Sequence, residues 1–327
     1  MADAKTFLRR LALFSVPAVV CLVVMIMIDP FNFFGVSHVV PDGLKSEVSQ
    51  KINYAMWKML AYRQDPVPNL LLGDSRVADL DEQYVEEISG VPWTNFGYGG
   101  GSLREAIQTF WFASEQVELE RVCFGVNLHT YNANNNKDRV SEVEAALRNP
   151  LLYCVNANVV TAAGKLITAM IMGEPEPIGR PPMTREEFWE FQLEQVTRVY
   201  FEGYRYPTEY HRDLTEVAEY CLGHGIELSF VIMPNHVELQ AKVGEHGLEE
   251  AAVQFRQDFI HWGPVYDFAF PNTMTGDQAN YRDPYHFDED FMQLIVRTVW
   301  GTERDFVRIL EPEVAAAAAA GEDHAVQ

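Results

Sequence analysis

Asn69-Leu70-Leu71-Leu72-Gly73-Asp74-Ser75-Arg76-Val77-Ala78-Asp79-Leu80 is the stretch around which the rest of the chain is organised. The apolar run Leu70 to Leu72 reads as a buried parallel strand, Gly73 permits a sharp turn, and Asp74-Ser75-Arg76 opens a helix. A serine at that corner stands at the carboxyl end of a strand and the amino end of a helix. Open α/β sheets bind ligands there, and the free N–H groups of a helix can hold developing negative charge. Ser75 is therefore the candidate nucleophile. Gly-Asp-Ser is also ordinary turn and N-cap chemistry, so its weight comes from residues further along the chain.

Downstream, a helical pattern over Val77 to Ile88 stops at Gly90. A second short strand reads over Val91 to Asn95, followed by the glycine-rich Phe96-Gly97-Tyr98-Gly99-Gly100-Gly101 and a helix from Ser102 to Gln116. Arg121 to Asn127 is a third strand. Strand and helix alternate, the mark of a parallel sheet with crossovers. From Val140 to about Tyr200 the pattern becomes helical, broken by the Pro-rich stretch Gly173 to Pro182, and reads as a helical insertion over the site. The sheet resumes with a helix over Thr208 to Gly223 and the strongly β-prone strand Ile226 to Met233. A helix over Leu248 to Trp262 then leads to a fifth strand, Val265 to Phe270. The loop Asp277 to Phe287 and a last amphipathic helix, Asp288 to Trp300, come next. The tail 311–327 holds an alanine tract and polar residues, and reads as disordered.

Working the other way from the serine strand, 29–68 is a connecting region with a helix over Lys45 to Tyr62. Before it, Lys5, Arg9 and Arg10 in the N-terminal ten residues precede an apolar run, 11–28, interrupted only by Ser15 and Pro17. About 18 residues is near the lower limit for spanning a bilayer. The positive flank predicts an uncleaved single-pass anchor with a cytoplasmic amino terminus and an extracytoplasmic remainder. No small-x-small cleavage site succeeds the run; Asp29-Pro30-Phe31-Asn32-Phe33-Phe34 does.

With 327 residues, 48 % of them hydrophobic, the chain has ample material for a globular core. Its formal net charge of −22 argues against a nucleic-acid partner, because a phosphate backbone needs a basic face. The four cysteines contain no C-x-x-C pair. Cys154 and Cys221 are the pair for a disulfide if one forms, but all four read as small hydrophobes, and no structural zinc site is expected.

Three later stretches supply what a serine nucleophile needs. Asp283-Pro284-Tyr285-His286 is a D-x-x-H on the loop after the last strand, so that His286 can take the proton of Ser75 and Asp283 can orient the imidazole. The glycine run offers an unencumbered N–H to a substrate oxygen, and Asn127, at the end of the third strand, offers a side-chain amide to the same oxyanion. Tyr98 and Tyr131 neighbour these donors and are candidate substrate-binding aromatics, with His129 beside them. His129 and His236 lack helical metal-ligand spacing and read as loop histidines.

Gly73-Asp74-Ser75, the block Asn95 to Gly101, Gly125-Val126-Asn127 and Asp283-Pro284-Tyr285-His286 resemble, in order, the four blocks of the SGNH (GDSL-type) hydrolase superfamily. The resemblance covers Asn69 to Trp300 apart from the helical insertion, and places a hydrolase-like domain at 69–310. It implies a flavodoxin-like three-layer α/β/α fold with a central five-stranded parallel sheet, and an acyl-enzyme mechanism without metal or organic cofactor. Read across block by block, Ser75 is the nucleophile, His286 the base and Asp283 its partner; the oxyanion donors are the Ser75 N–H, Gly100 and Asn127. Three adjacent glycines leave Gly99, Gly100 and Gly101 all open as the donor. Arg76 stands where the name-giving motif has leucine, a position without chemistry of its own, and Leu128 where many members have aspartate.

Among anchored members, the chain resembles the O-acetylation proteins of exopolysaccharides and the D-alanylation protein of teichoic acid. That resemblance implies acyl transfer to, or removal from, a cell-envelope glycan, alongside a multi-spanning membrane acyltransferase as partner. Two alternatives stand beside it: an extracytoplasmic esterase or lipase for small or lipid esters, and a catalytically silent glycan-binding or scaffold protein of an envelope synthesis complex. Esterase and transferase share the acyl-enzyme and differ in what resolves it.

Overall fold

The computed structural model describes residues 2–35, 39–173 and 183–311; the Pro-rich break at 174–182 and the tail from 312 onward lie outside the described residues. The chain is mixed α/β and divides into two compact units. One comprises Met1–Asp65 with Arg139–Arg180, the other Pro66–Asp138 with Pro181–Gln327.

The first unit is helical. Its long helix, Ala2–Ile28, is long and apolar enough to cross a membrane, with a mean hydropathy of 2.9 over its most apolar window. Among its described side chains, those buried in protein lie toward its C-terminal end, at Met25 and Ile28. The chain leaves it through the buried Asp29, at φ +40°. The Asp29 carboxylate accepts the backbone N–H groups of Phe33 (2.8 Å), Phe34 (3.0 Å) and Gly35 (3.0 Å) and the hydroxyl of Tyr153 (3.1 Å). One side chain thereby satisfies three backbone donors of the turn that follows it.

The helical pattern expected over Lys45 to Tyr62 is two helices, Asp42–Ile52 and Tyr54–Gln64. Asn53 adopts an extended conformation that stops the first, and its side chain caps the second by accepting from the Met56 N–H at 2.9 Å. Three more helices, Val140–Arg148, Pro150–Val155 and Ala157–Met172, complete the unit, with Asn149 and Asn156 capping the latter two. The stretch 140–200 is therefore divided. Its first part belongs with the N-terminal helices, and only Arg185–Phe191, the π-turn Gln192–Val196 and Thr197–Phe201 belong with the sheet.

The second unit is built on a six-stranded sheet: β1 (Asn69–Gly73), β2 (Thr94–Gly97), β3 (Arg121–Val126), β4 (Glu227–Ile232), β5 (Val265–Asp267) and β6 (Arg308–Leu310), in the order β2-β1-β3-β4-β5-β6. The first five are parallel. The sixth, beyond the five expected, runs antiparallel on the edge, pairing Leu310 with Val265 and Arg308 with Asp267. Three residues are too few to show a period, so only the open edge of β5 reveals β6. All five residues of β1 are buried, as a strand covered on both faces requires. Phe291, Ile295 and Val296 of the helix Glu289–Val299 enter the same apolar cluster as Leu71, Cys123 and Val231 of the sheet.

From β1 the chain steps to β2 on one side and then to β3 on the other. The strand order reverses there, which opens a crevice beyond the carboxyl ends of β1 and β3. The helix after Ser75 is a single turn, Ser75–Ala78, and a second helix, Glu82–Ser89, starts afresh at the cap Asp81. The continuous helix expected over Val77 to Ile88 is thus two, and one turn is too short to carry a helix dipole to the serine. That turn sits directly on the strand ends. A Cβ at Gly97 would lie 2.1 Å from the Ala78 nitrogen, and one at Gly125 would lie 2.2 Å from Val77 Cγ2.

Candidate active site

Ser75 begins its turn under the cap Asp74, whose side chain accepts the Arg76 N–H at 3.0 Å. Its Oγ lies 2.7 Å from His286 Nε2, although 211 residues separate the two. The D-x-x-H loop is folded by its own aspartate: Asp283 Oδ1 accepts the N–H groups of Tyr285 (2.9 Å) and His286 (3.2 Å). Asp283 Oδ2 lies 2.7 Å from His286 Nδ1. A carboxylate can only accept, so Nδ1 donates and Nε2 keeps its lone pair for the serine hydroxyl. Asp283 is buried, and the imidazole is partly open to solvent. The loop is pinned from outside as well. His236 N–H donates to Pro284 O (3.0 Å), the Tyr285 hydroxyl pairs with Thr197 Oγ1 (2.9 Å), and Tyr281 bridges Phe287.

Asn127 comes directly after β3 in a tight turn in which its carbonyl accepts from the N–H groups of Thr130 and Tyr131. Its side-chain Nδ2 is buried and makes no hydrogen bond among the described residues. Its Oδ1 is engaged, accepting from Asn235 Nδ2 at 3.3 Å. Asn235 Oδ1 in turn accepts from Arg76 Nη1 at 2.8 Å. Because the amide oxygen is held on one side, the two Nδ2 protons face the other. A buried donor without a partner is costly in a resting protein and is what an oxyanion site keeps in readiness.

Arg76 starts that chain. It is 1 % exposed and grips Asp74 through Nε to Oδ1 (3.3 Å) and Nη2 to Oδ2 (2.5 Å). Burial alone would raise the Asp74 carboxyl, but the Arg76 charge and the hydrogen bonds around it hold the group far below the usual carboxylate range. His129 Nε2 lies 3.1 Å from Arg76 Nη2, a pure donor, so Nε2 accepts. Burial and the adjacent guanidinium push the His129 pKa down to about 4. Arg76 is thus a positioning residue, at a position the sequence reading left without chemistry of its own. The signal in the sequence is an Asp-x-Arg pair in a stretch otherwise apolar enough to be buried, which must neutralise itself.

The structure brings together Ser75, His286 and Asp283, and sets Asn127 at the neighbouring strand end. It does not bring the other candidates to the crevice. Tyr98 is wholly buried, its hydroxyl 3.0 Å from Thr109 Oγ1. Tyr131 is wholly buried among Tyr206, Phe255 and Phe259, and its hydroxyl donates to Asp258 Oδ2 at 2.8 Å. Both are core residues, which corrects their reading as substrate-binding aromatics. His129 likewise serves the Arg76–Asp74 pair and not a substrate. His236 caps the helix Val237–Glu245, accepting the Glu238 N–H at Nδ1. Of the glycines, Gly101 donates its N–H to Tyr98 O (2.8 Å) and closes the turn, so it is already engaged. Gly100 lies exposed at φ +58° with its carbonyl accepting from Lys137 Nζ. Cys123, Cys154 and Cys221 are free and buried, and burial raises all three thiols.

No protein-family model matches the chain, and no curated protein matches it. Among solved structures it is similar to one described as "a putative platelet activating factor from Streptococcus pneumonia", with 10% sequence identity and a TM-score of 0.36 over 78% of this chain and 94% of that chain.

Proposed function

We propose that the chain is a serine-dependent acyl-ester hydrolase or O-acyltransferase of the SGNH type, anchored by its N-terminal helix and acting outside the cytoplasmic membrane on a cell-envelope polysaccharide. The observation that carries the reading is the relay of two 2.7 Å contacts, Ser75 Oγ to His286 Nε2 and His286 Nδ1 to Asp283 Oδ2. The order β2-β1-β3-β4-β5 is that of flavodoxin-like doubly wound sheets, which supports the fold assignment. Lys5, Arg9 and Arg10 ahead of the apolar run support a cytoplasmic amino terminus.

In this reading Ser75 Oγ attacks the ester carbonyl while its proton passes to His286 Nε2, and Asp283 stabilises the imidazolium. Asn127 Nδ2 donates to the oxyanion, joined by the Ser75 N–H, which as the first residue of its turn has no intrahelical acceptor. The tetrahedral intermediate expels the alcohol, which takes the proton from His286, and leaves an acyl ester on Ser75. A second hydroxyl then attacks that ester, giving up its proton to His286 and restoring the serine. A glycan hydroxyl yields a new ester and water yields the free acid. The resemblance to exopolysaccharide O-acetylation proteins supports the glycan, and with it a multi-spanning membrane acyltransferase as partner.

The test is labelling of the full chain in detergent with a fluorophosphonate, beside Ser75→Ala and His286→Ala. Stoichiometric adduct on Ser75 that disappears in both variants is expected. A folded protein that takes no label at Ser75 would overturn the proposal in favour of a catalytically silent envelope protein.

A further inference from the structure

The helices Pro150–Val155 and Ala157–Met172 carry a feature that neither anchor nor hydrolase explains. The segment from Pro150 to Met172 contains no aspartate or glutamate and a single cation, Lys165, in a chain with 47 acidic residues. One face is accounted for: Tyr153, Cys154, Val159, Ala162, Leu166 and Ala169 are buried within the first unit. The other face exposes Leu151, Leu152, Val155, Val160, Ile171 and Met172, with Val155 at 68% and Ile171 at 79%. Isolated exposed hydrophobes are ordinary, but all six on two consecutive helices, with no acid in the segment, call for a partner.

The same unit shows what that partner is. Both helices pack on Ala2–Ile28, the helix apolar and long enough to cross a bilayer. Among its described side chains that helix is buried near Met25 and Ile28, so the packing lies at the end where it would emerge. At the junction Phe33 stacks on Tyr153 at 4.3 Å and the Tyr153 hydroxyl donates to Asp29. At 1.5 Å per residue, the 16 residues of Ala157–Met172 reach about 24 Å, short of a bilayer core of about 30 Å. The helix is too short to span, and it exposes large apolar side chains near both its ends, Val160 at one and Ile171 and Met172 at the other.

We propose that Pro150–Val155 and Ala157–Met172 lie in the lipid interface of the membrane that the N-terminal helix crosses, with Leu151, Leu152, Val155, Val160, Ile171 and Met172 inserted among the acyl chains. The inference rests on the anchor reading and not on the acyl-transfer chemistry. It makes the first unit a membrane-seated platform and the N-terminal helix only one of its attachments.

The test uses the full chain reconstituted in phosphatidylethanolamine–phosphatidylglycerol vesicles doped with a phospholipid bearing a diazirine in its acyl chain. Crosslinked peptides are located by mass spectrometry after illumination. Lipid adducts are expected in 2–28 and in 150–172, and not at the equally exposed Leu222 of the sheet unit. Replacing Val155 and Ile171 together by Glu should cut adducts in 150–172 at least tenfold while those in 2–28 persist and the circular dichroism is unchanged. Adducts in 2–28 without any in 150–172 overturn the proposal and leave the anchor standing. No adducts in 2–28 overturn the anchor itself.

Discussion

Replacing Arg76 by leucine, the residue of the GDSL motif, tests whether the buried pair beneath the serine holds the site together. Arg76 and Asp74 are 1 % and 6 % exposed, so Arg76→Leu leaves a carboxylate in the interior without a cation. Breaking one side of such a pair costs about 3 to 5 kcal/mol, because the remaining charge is uncompensated. The loss also frees Asn235 Oδ1, and with it the amide that orients Asn127. Urea unfolding of the full chain in detergent, monitored by tryptophan fluorescence, reads the stability. Asp74→Asn keeps the oxygen that caps the Ser75 turn, so the double variant Asp74→Asn/Arg76→Leu removes both charges and retains the cap. The double variant should be more stable than the sum of the single losses predicts by about 2 kcal/mol or more, the coupling of a contacting pair. Activity should stay depressed in both, since neither has the Arg76 to Asn235 link. An Arg76→Leu variant that loses under about 1 kcal/mol, or single costs that simply add, would refute the reasoning.

Asn127→Ala should lower turnover about 10² to 10³-fold at a stability cost of only about 1 kcal/mol, because Nδ2 makes no hydrogen bond among the described residues and Oδ1 loses only the 3.3 Å bond from Asn235; steady-state kinetics beside urea unfolding separates the two. Gly97→Ala should abolish fluorophosphonate labelling and destabilise the fold together, since its Cβ would stand 2.1 Å from the Ala78 nitrogen and must displace the serine turn. Stability should fall as pH drops from about 6.5 to about 4: the folded His129 stays neutral through that window while an unfolded histidine takes up a proton. Below it Asp74 continues the loss, because its folded carboxyl titrates lower than the unfolded one. His129→Gln should flatten the slope between pH 4 and 6.5 in pH-dependent unfolding, and an unchanged slope would remove His129 as its source.

The sequence alone determined the features that local sterics and periodicity encode. An apolar triplet ending in Gly73 makes a buried strand with a turn at its end, and Asp283 folds its own loop through contacts two and three residues away. Glycines at the ends of β1, β2 and β3 are likewise local signals, although what fills the space they leave, Val77 and Ala78, is not. An 18-residue apolar run after three basic residues needs no neighbour to be recognised.

What only the tertiary structure decided depends on which residues meet from far apart. Tyr98 and Tyr131 adjoin candidate donors in sequence, but a turn places their rings in the core, against Thr109 and Asp258. Arg76 acquires its role from Asn235, 159 residues away, and through it fixes an amide at the end of another strand. Helices over 140–200 look alike in periodicity, yet half pack with the N-terminal helices and half with the sheet, because a 3.6-residue period specifies a face and not its partner. Hydrophobic pattern and turn chemistry act within a few residues, whereas buried charges and amides are settled by whatever the fold sets opposite them.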